Sequence, residues 1–389
     1  MFLNLLKKEF KYLFKNITFC ILIIIIGFFY FSEFSPSGVL KKCSKPKTPE
    51  EYKINGMRPY YGNKNITDRN KEIKQMYIQM CRDYEEGSFT KVRVILNVQE
   101  KLNLKEKEYL KKAMEEIAPK EFLDSEDSSL IKVSYDEYLK IVRDLDKKLG
   151  GNTYYGDKMR SYLLSEEKTY KEAVNDFQDI IYKDKITNAG ARYFSDYMGI
   201  TAGLFPVFLA AFILIKDRRS RMEELICSRS VSGGVYIISK YAALCLGILL
   251  IYILYASHAT FVFKSFAKAN NYSIDIMAFY KYTLCWILPT ILFTVALGML
   301  LSVIFNNGIV AIFAQFILWI LSIRTLGGDY GLSKFIIRFN TFGEHSQYIK
   351  FQNAICVNRI FYIVVSILLI VITSFIWSKK RGAVGEHIH

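Results

Sequence analysis

The residues able to do chemistry are few and widely spaced. The four histidines, His258, His345, His387 and His389, show no metal-ligand spacing with a cysteine or carboxylate pair. Gly151-Asn152-Thr153-Tyr154-Tyr155-Gly156-Asp157-Lys158 is a near miss to a nucleotide loop. A phosphate cradle needs Lys directly after the second Gly and a hydroxyl next, whereas Asp157 would repel the phosphate. It reads as a turn opening a helix. No catalytic constellation emerges, so an enzyme is not expected, and neither a cofactor nor a metal is assigned to the chain.

The elements that would carry any site are membrane helices. The 389 residues are 51% hydrophobic and 15% aromatic. Apolar residues gather into six runs: Ile17–Phe31, Met198–Ile215, Tyr241–Ser257, Tyr282–Phe305, Gly308–Ile323 and Ile360–Trp377. A hydrocarbon core of about 30 Å needs roughly 20 helical residues, so the first and fifth runs are short and must borrow from their flanks. The expected fold class is a mainly α polytopic membrane protein with six transmembrane helices. No small-x-small site follows the first run at Phe29 to Phe34, so the run reads as a retained span rather than a cleaved signal.

Residues 1–16 place Phe2, Leu5, Leu6, Leu13 and Phe14 on one helical face and Lys7, Lys8, Lys11 and Lys15 on the other. This is an interfacial amphipathic helix, followed by transmembrane helix 1 at 17–32. Residues 33–197 carry 31 basic and 29 acidic side chains and form an insert expected outside the cell. Spans 2 to 6 occupy 198–381, and 382–389 is a cytoplasmic tail. With both termini inside, the inner pieces hold 13 Lys and Arg in 55 residues, against 8 in the 62 residues of the two short outer loops.

The insert is expected to be mostly helical, at 68–84, 101–117, 134–149 and 165–185, with a capping box at Ser134 and Glu137. The seam Tyr170, Ala173, Val174, Phe177, Ile180 and Ile181 is expected to pack on the insert's own core. Cys43 and Cys81 share the insert, so a disulfide and two free thiols are both open. The net charge of +15 fits attraction to an anionic leaflet, and no cluster points to nucleic acid.

The strongest local pattern is Lys216 to Ser230. Ser220 and Glu223 form a capping box, and Met222, Leu225 and Ile226 make an apolar stripe, with Arg221, Glu224 and Ser228 turned elsewhere. A short cytoplasmic surface helix at 217–229 follows, either a docking knob or a charged loop that fixes topology. Within the spans, Gln315, Thr294, Ser302 and Tyr252 are candidate pathway lining, with helix-to-helix contact the favoured role for Gln315. Pro206 and Pro289 are expected kinks. No charged residue lies near a span centre, which argues against an ion relay.

The run Met222-Glu223-Glu224-Leu225-Ile226, the Ser-rich break after it and Lys240 near the third span resemble the coupling helix of exporter-type ABC transporter permeases. The six-span plan, the amphipathic leading helix and the tight turn Asn306-Asn307-Gly308 are similar to that family too. A large insert after the first span is similar to its lipid-exporting A subfamily and to some bacterial antibiotic or sodium exporters. The resemblance implies a permease that forms a translocation pathway for a lipid, hydrophobic peptide or drug. A separate ABC ATPase subunit, carrying ATP and Mg, would dock on Ser220, Arg221, Met222, Glu223, Glu224, Leu225, Ile226 and Ser228. A second permease, self or sister, would complete the pathway in the membrane lipid. The competing expectation is a non-transporting sensor or assembly scaffold whose outer domain binds a ligand or partner.

Overall fold

The computed structural model describes residues 2–54, 56–93, 96–125, 127–160, 163–219, 232–323 and 329–386. It is mostly helical, at 74%. The helices used below are α1 (Phe2–Leu13), α2 (Ile17–Phe29), α3 (Arg69–Glu86), α4 (Leu104–Ile117), α5 (Tyr135–Lys148), α6 (Thr187–Leu204), α7 (Pro206–Arg219), α8 (Gly233–Ala269), α9 (Leu288–Phe305), α10 (Gly308–Ile323) and α11 (His345–Glu386).

The chain divides into two compact units, one of residues 1–45 and 174–389 and one of Pro46–Ala173. The compact second unit is thus narrower at both ends than the insert expected at 33–197. Phe34, Val39 and Leu40 on one side, and Ile180, Ile181 and Phe194 on the other, are buried in the core of the first unit. Of the expected seam, Phe177, Ile180 and Ile181 pack there, while Tyr170 meets the Tyr61 ring in the second unit. Cys43 and Cys81 are both free, each in the core of a different unit. Burial pushes the Cys43 thiol up to about 11, so it behaves as a small hydrophobe.

Among the described residues of the first unit, five helical stretches are long and apolar enough to cross a membrane: Ile17–Lys41, Thr187–Ile215, Gly233–Ala269, Ala278–Phe305 and His345–Lys380. The sixth expected span, α10, has 16 residues, about 24 Å. Two helices far exceed their apolar runs. α8 has 37 residues and α11 has 42, about 56 and 63 Å. Pro206 separates α6 from α7, as its missing N–H and its ring demand. A π-helical turn at Thr283–Ile287 precedes Pro289 at the start of α9. The expected tight turn is present. Asn306 takes a left-handed φ of 50° to end α9, and Asn307 Oδ1 accepts from Ile309 N at 2.9 Å to start α10.

The second unit holds α3, α4 and α5 around Met76, Met80, Leu110, Ile117, Tyr138 and Val142. The local chemistry explains each start. Asp68 caps α3 through Asn70 N and Lys71 N, and full capping boxes open α4 at Asn103 and Glu106 and α5 at Ser134 and Glu137. Gly87, at φ 66°, ends α3 in the left-handed conformation. Two small antiparallel pairs were not legible in the sequence: Ser88–Arg93 with Leu96–Lys101, and Asn63–Asn65 with Ser165–Glu167. The second pair replaces the beginning of the helix expected at 165–185, which starts instead at Tyr170 and continues through a π-helical turn to Lys183.

Candidate functional site

After α10 the described chain resumes at Asp329 and reaches Glu344 without helix or strand. This strap is not a surface loop. Tyr330, Phe335, Ile336, Ile337 and Phe339 are all buried. Irregular backbone at such a place must have its polar groups met by protein, since hydrocarbon offers no partner. Side chains of α11 do this. Asn358 Nδ2 lies 2.8 Å from both Gly331 O and Lys334 O, and Tyr362 OH donates to Leu332 O at 2.8 Å. Arg359 spreads its donors over Phe335 O (3.0 Å), Trp286 O (3.1 Å) and Thr290 Oγ1 (2.9 Å). From α10, Ser322 Oγ accepts from Ile336 N at 3.0 Å.

An ion pair and a backbone hydrogen bond tie the far end of the strap to the start of α6. Arg192 donates to both oxygens of Asp184, at 2.8 and 2.5 Å, and to Gly343 O at 3.1 Å. His345 Nδ1 lies 2.8 Å from Asp184 Oδ1, and the Arg192 guanidinium sits 4.6 Å from the Tyr348 ring centre. Asp196 accepts from Arg338 Nε at 2.5 Å and from Asn340 N at 2.6 Å. Lys185 and Ile186, between these partners, both hold φ of 48°, a strained value for a β-branched residue.

These charges bracket a bilayer-sized interval. Asp196 lies 19 residues, about 29 Å, from the end of its span at Ile215. Arg359 lies 21 residues, about 32 Å, from Lys380, whose Nζ donates to Val303 O at 2.5 Å and Asn306 Oδ1 at 3.1 Å at the end of α9. Both distances match a hydrocarbon core of about 30 Å. The sequence concealed this collar because Arg192 and Asp196 fall before an apolar run, and Asn358-Arg359 directly before another. The i, i+4 spacing of Arg192 and Asp196 on one helix was the available signal.

Within the single chain, the four residues expected to line a pathway are buried. Tyr252, Thr294 and Gln315 are fully buried and Ser302 nearly so. Gln315 Nε2 donates to Gly203 O at 2.5 Å and lies 3.3 Å from Thr294 Oγ1. The amide thus covers a carbonyl beside the proline break, the contact role favoured for it. Tyr252 pairs with Thr201 at 2.9 Å, while Ser302 bonds to Met299 O within its own helix and borders a void of about 20 Å³. The structure brings Thr294 and Gln315 together, and not Tyr252 or Ser302. Among the described residues of one chain, Tyr252, Thr294 and Gln315 are engaged in contacts between helices, and Ser302 in one within its own helix.

Ser220, Arg221, Met222, Glu223, Glu224, Leu225, Ile226 and Ser228 lie outside the described residues. Their flanks are described. Ser232 caps α8 through Val235 N, and two turns later Lys240 pairs with Glu9 of α1 at 2.9 Å. Leu13 of α1 packs on Gly247, where any β-carbon would collide with it. The amphipathic helix is therefore docked on α8. Beside the pair lies a cleft of about 350 Å³ between α1, α7 and α8.

The second unit has its own buried polar groups. Asp83 accepts from Tyr155 OH at 2.6 Å and Gln79 Nε2 at 2.7 Å, and burial raises its carboxyl above the ordinary range. Lys64 bonds to Glu172 at 2.5 Å, and this bond, with those from Thr169, holds the Glu172 carboxyl at about 2. Among the described residues no group of three or more His, Cys, Asp or Glu gathers to hold a metal ion.

Comparison with protein families, curated proteins and solved structures gave no match. The class that the fold defines is an α-helical, multi-pass membrane protein.

Proposed function

We propose that this chain is the membrane subunit of an ATP-driven exporter moving a lipid, hydrophobic peptide or drug. A separate ATP-hydrolysing subunit docks at 220–228, and a second permease, self or sister, completes the pathway. The observation that carries this reading is the bracing around the docking segment. It is bounded by the ends of α7 and α8, and Glu9 and Lys240 fasten α1 to the first turns of α8. A push at 220–228 would thus be shared by three helices. The tight turn at Asn306–Gly308, fixed to α11 by Lys380, joins two further helices at the same end as α7.

The test is co-purification from native membranes. An ATP-hydrolysing protein should accompany the chain, and Glu223→Lys with Glu224→Lys should abolish that association, or uncouple hydrolysis from transport, while insertion is unchanged. Unaltered binding and transport in the double variant would overturn the docking role. Recovery of a non-hydrolysing partner on 46–173 alone would favour the sensor or scaffold.

A further inference from the structure

We propose that the cleft between α1, α7 and α8 is a binding site for a phospholipid whose headgroup carries a phosphate and a primary ammonium. The cleft is about 350 Å³, within the range of sites that enclose small ligands. Its chemistry is divided. Its lining combines the polar Glu9, Lys240, Tyr12 and Asn16 with the apolar Phe208, Leu209, Phe212 and Leu244.

The division runs in the direction a lipid needs. α1 is amphipathic and belongs at the headgroup boundary. Lys240 lies two turns into α8, and Ala243 and Leu244 of the cleft lie one turn deeper. Headgroup charges thus meet the ion pair while the upper acyl chain continues over apolar side chains. Phe208 and Phe212 are 38% and 37% exposed, so the cleft is open on its α7 side for a lipid to enter.

Charge complementarity selects the headgroup. The Lys240 and Glu9 side chains are 5% and 19% exposed, so both charges are largely withdrawn from water. A phosphate would face Lys240 and an ammonium would face Glu9, each through charge-assisted hydrogen bonds. An anionic lipid without an amine brings only repulsion to Glu9. A quaternary ammonium has no N–H to give it. This assignment does not depend on an ATPase partner.

The test uses the full chain, reconstituted in nanodiscs of equal parts phosphatidylethanolamine, phosphatidylcholine and phosphatidylglycerol, then extracted gently and read by native mass spectrometry. Phosphatidylethanolamine should be retained about tenfold over the other two, the scale of one or two charge-assisted bonds. Glu9→Gln and Lys240→Gln should each return retention to the bulk ratio. Phe212→Trp, which fills part of the cleft without removing either charge, should do the same if those variants insert poorly. Equal retention of the three lipids, enrichment of phosphatidylglycerol, or a preference unchanged in Phe212→Trp would each overturn the site.

Discussion

Arg192 and Asp184 form a two-pronged ion pair, at 2.8 and 2.5 Å, with side chains 1% and 2% exposed. The same guanidinium holds Gly343 O and faces Tyr348, so one cation joins the start of α6, the strap and the start of α11. Removing one partner strands a buried charge, which costs about 3–5 kcal/mol, whereas removing both costs far less. Arg192→Met should therefore lower the unfolding temperature in mild detergent more than the double change with Asp184→Asn. A double variant at least as unstable as the single one would count against a buried, coupled pair.

Gly203 admits no side chain. A β-carbon there would lie 2.5 Å from Ile336 Cδ1 and 3.1 Å from Phe335 Cε2. Gly203→Val should push the strap outward, costing about 1–3 kcal/mol by overpacking. Its companion Gly234→Ala, where nothing lies within 4 Å, should be tolerated. Scanning calorimetry of the two variants decides the matter, and equal stability would mean the strap does not pack on α6.

Arg359 meets carbonyls and hydroxyls through several donors at once, a geometry a lysine ammonium does not reproduce. Arg359→Lys should leave buried acceptors unmet, at about 1–3 kcal/mol, and loosen the strap. Limited trypsin digestion reads this directly. Cleavage after Lys334 or Arg338 should accelerate, and protection equal to the unaltered protein would refute the role.

Glu172 gives the second unit an acid-sensitive contribution. Its folded-state value of about 2 is depressed from the ordinary 4.5, chiefly by Lys64. The stabilisation is complete above 4.5 and is lost as pH falls toward about 2. Glu172→Gln should flatten the stability profile of the full chain across that window and leave it parallel above. Added salt should shrink the difference, because the pair is exposed. Fluorescence-monitored urea melts across the window are the check.

The proposed orientation is tested separately. A cysteine introduced at Lys105 should react with an impermeant maleimide in intact cells, and one at Arg219 only after permeabilisation. The reverse pattern would invert the topology.

Hydropathy and capping chemistry carried much of the architecture into view. Ser134 with Glu137 marked α5, Asn306-Asn307-Gly308 marked the turn after α9, and Pro206 marked a break. Each of these acts through neighbours in sequence. The collar did not show itself, because Arg338 and His345 acquire meaning only when Asp196 and Asp184, 142 and 161 positions away, are folded beside them. Tyr252 and Ser302 could not be placed for the same reason. A hydroxyl in an apolar run looks alike whether it faces a channel or a neighbouring helix.

From Ser346 to Arg381, α11 contains neither proline nor glycine. A rod without a joint cannot absorb a tilt. If the strap end at Asn358 is displaced, Trp377 and Lys380 must swing with it, so the two faces of the bilayer are geared together through a single piece of backbone.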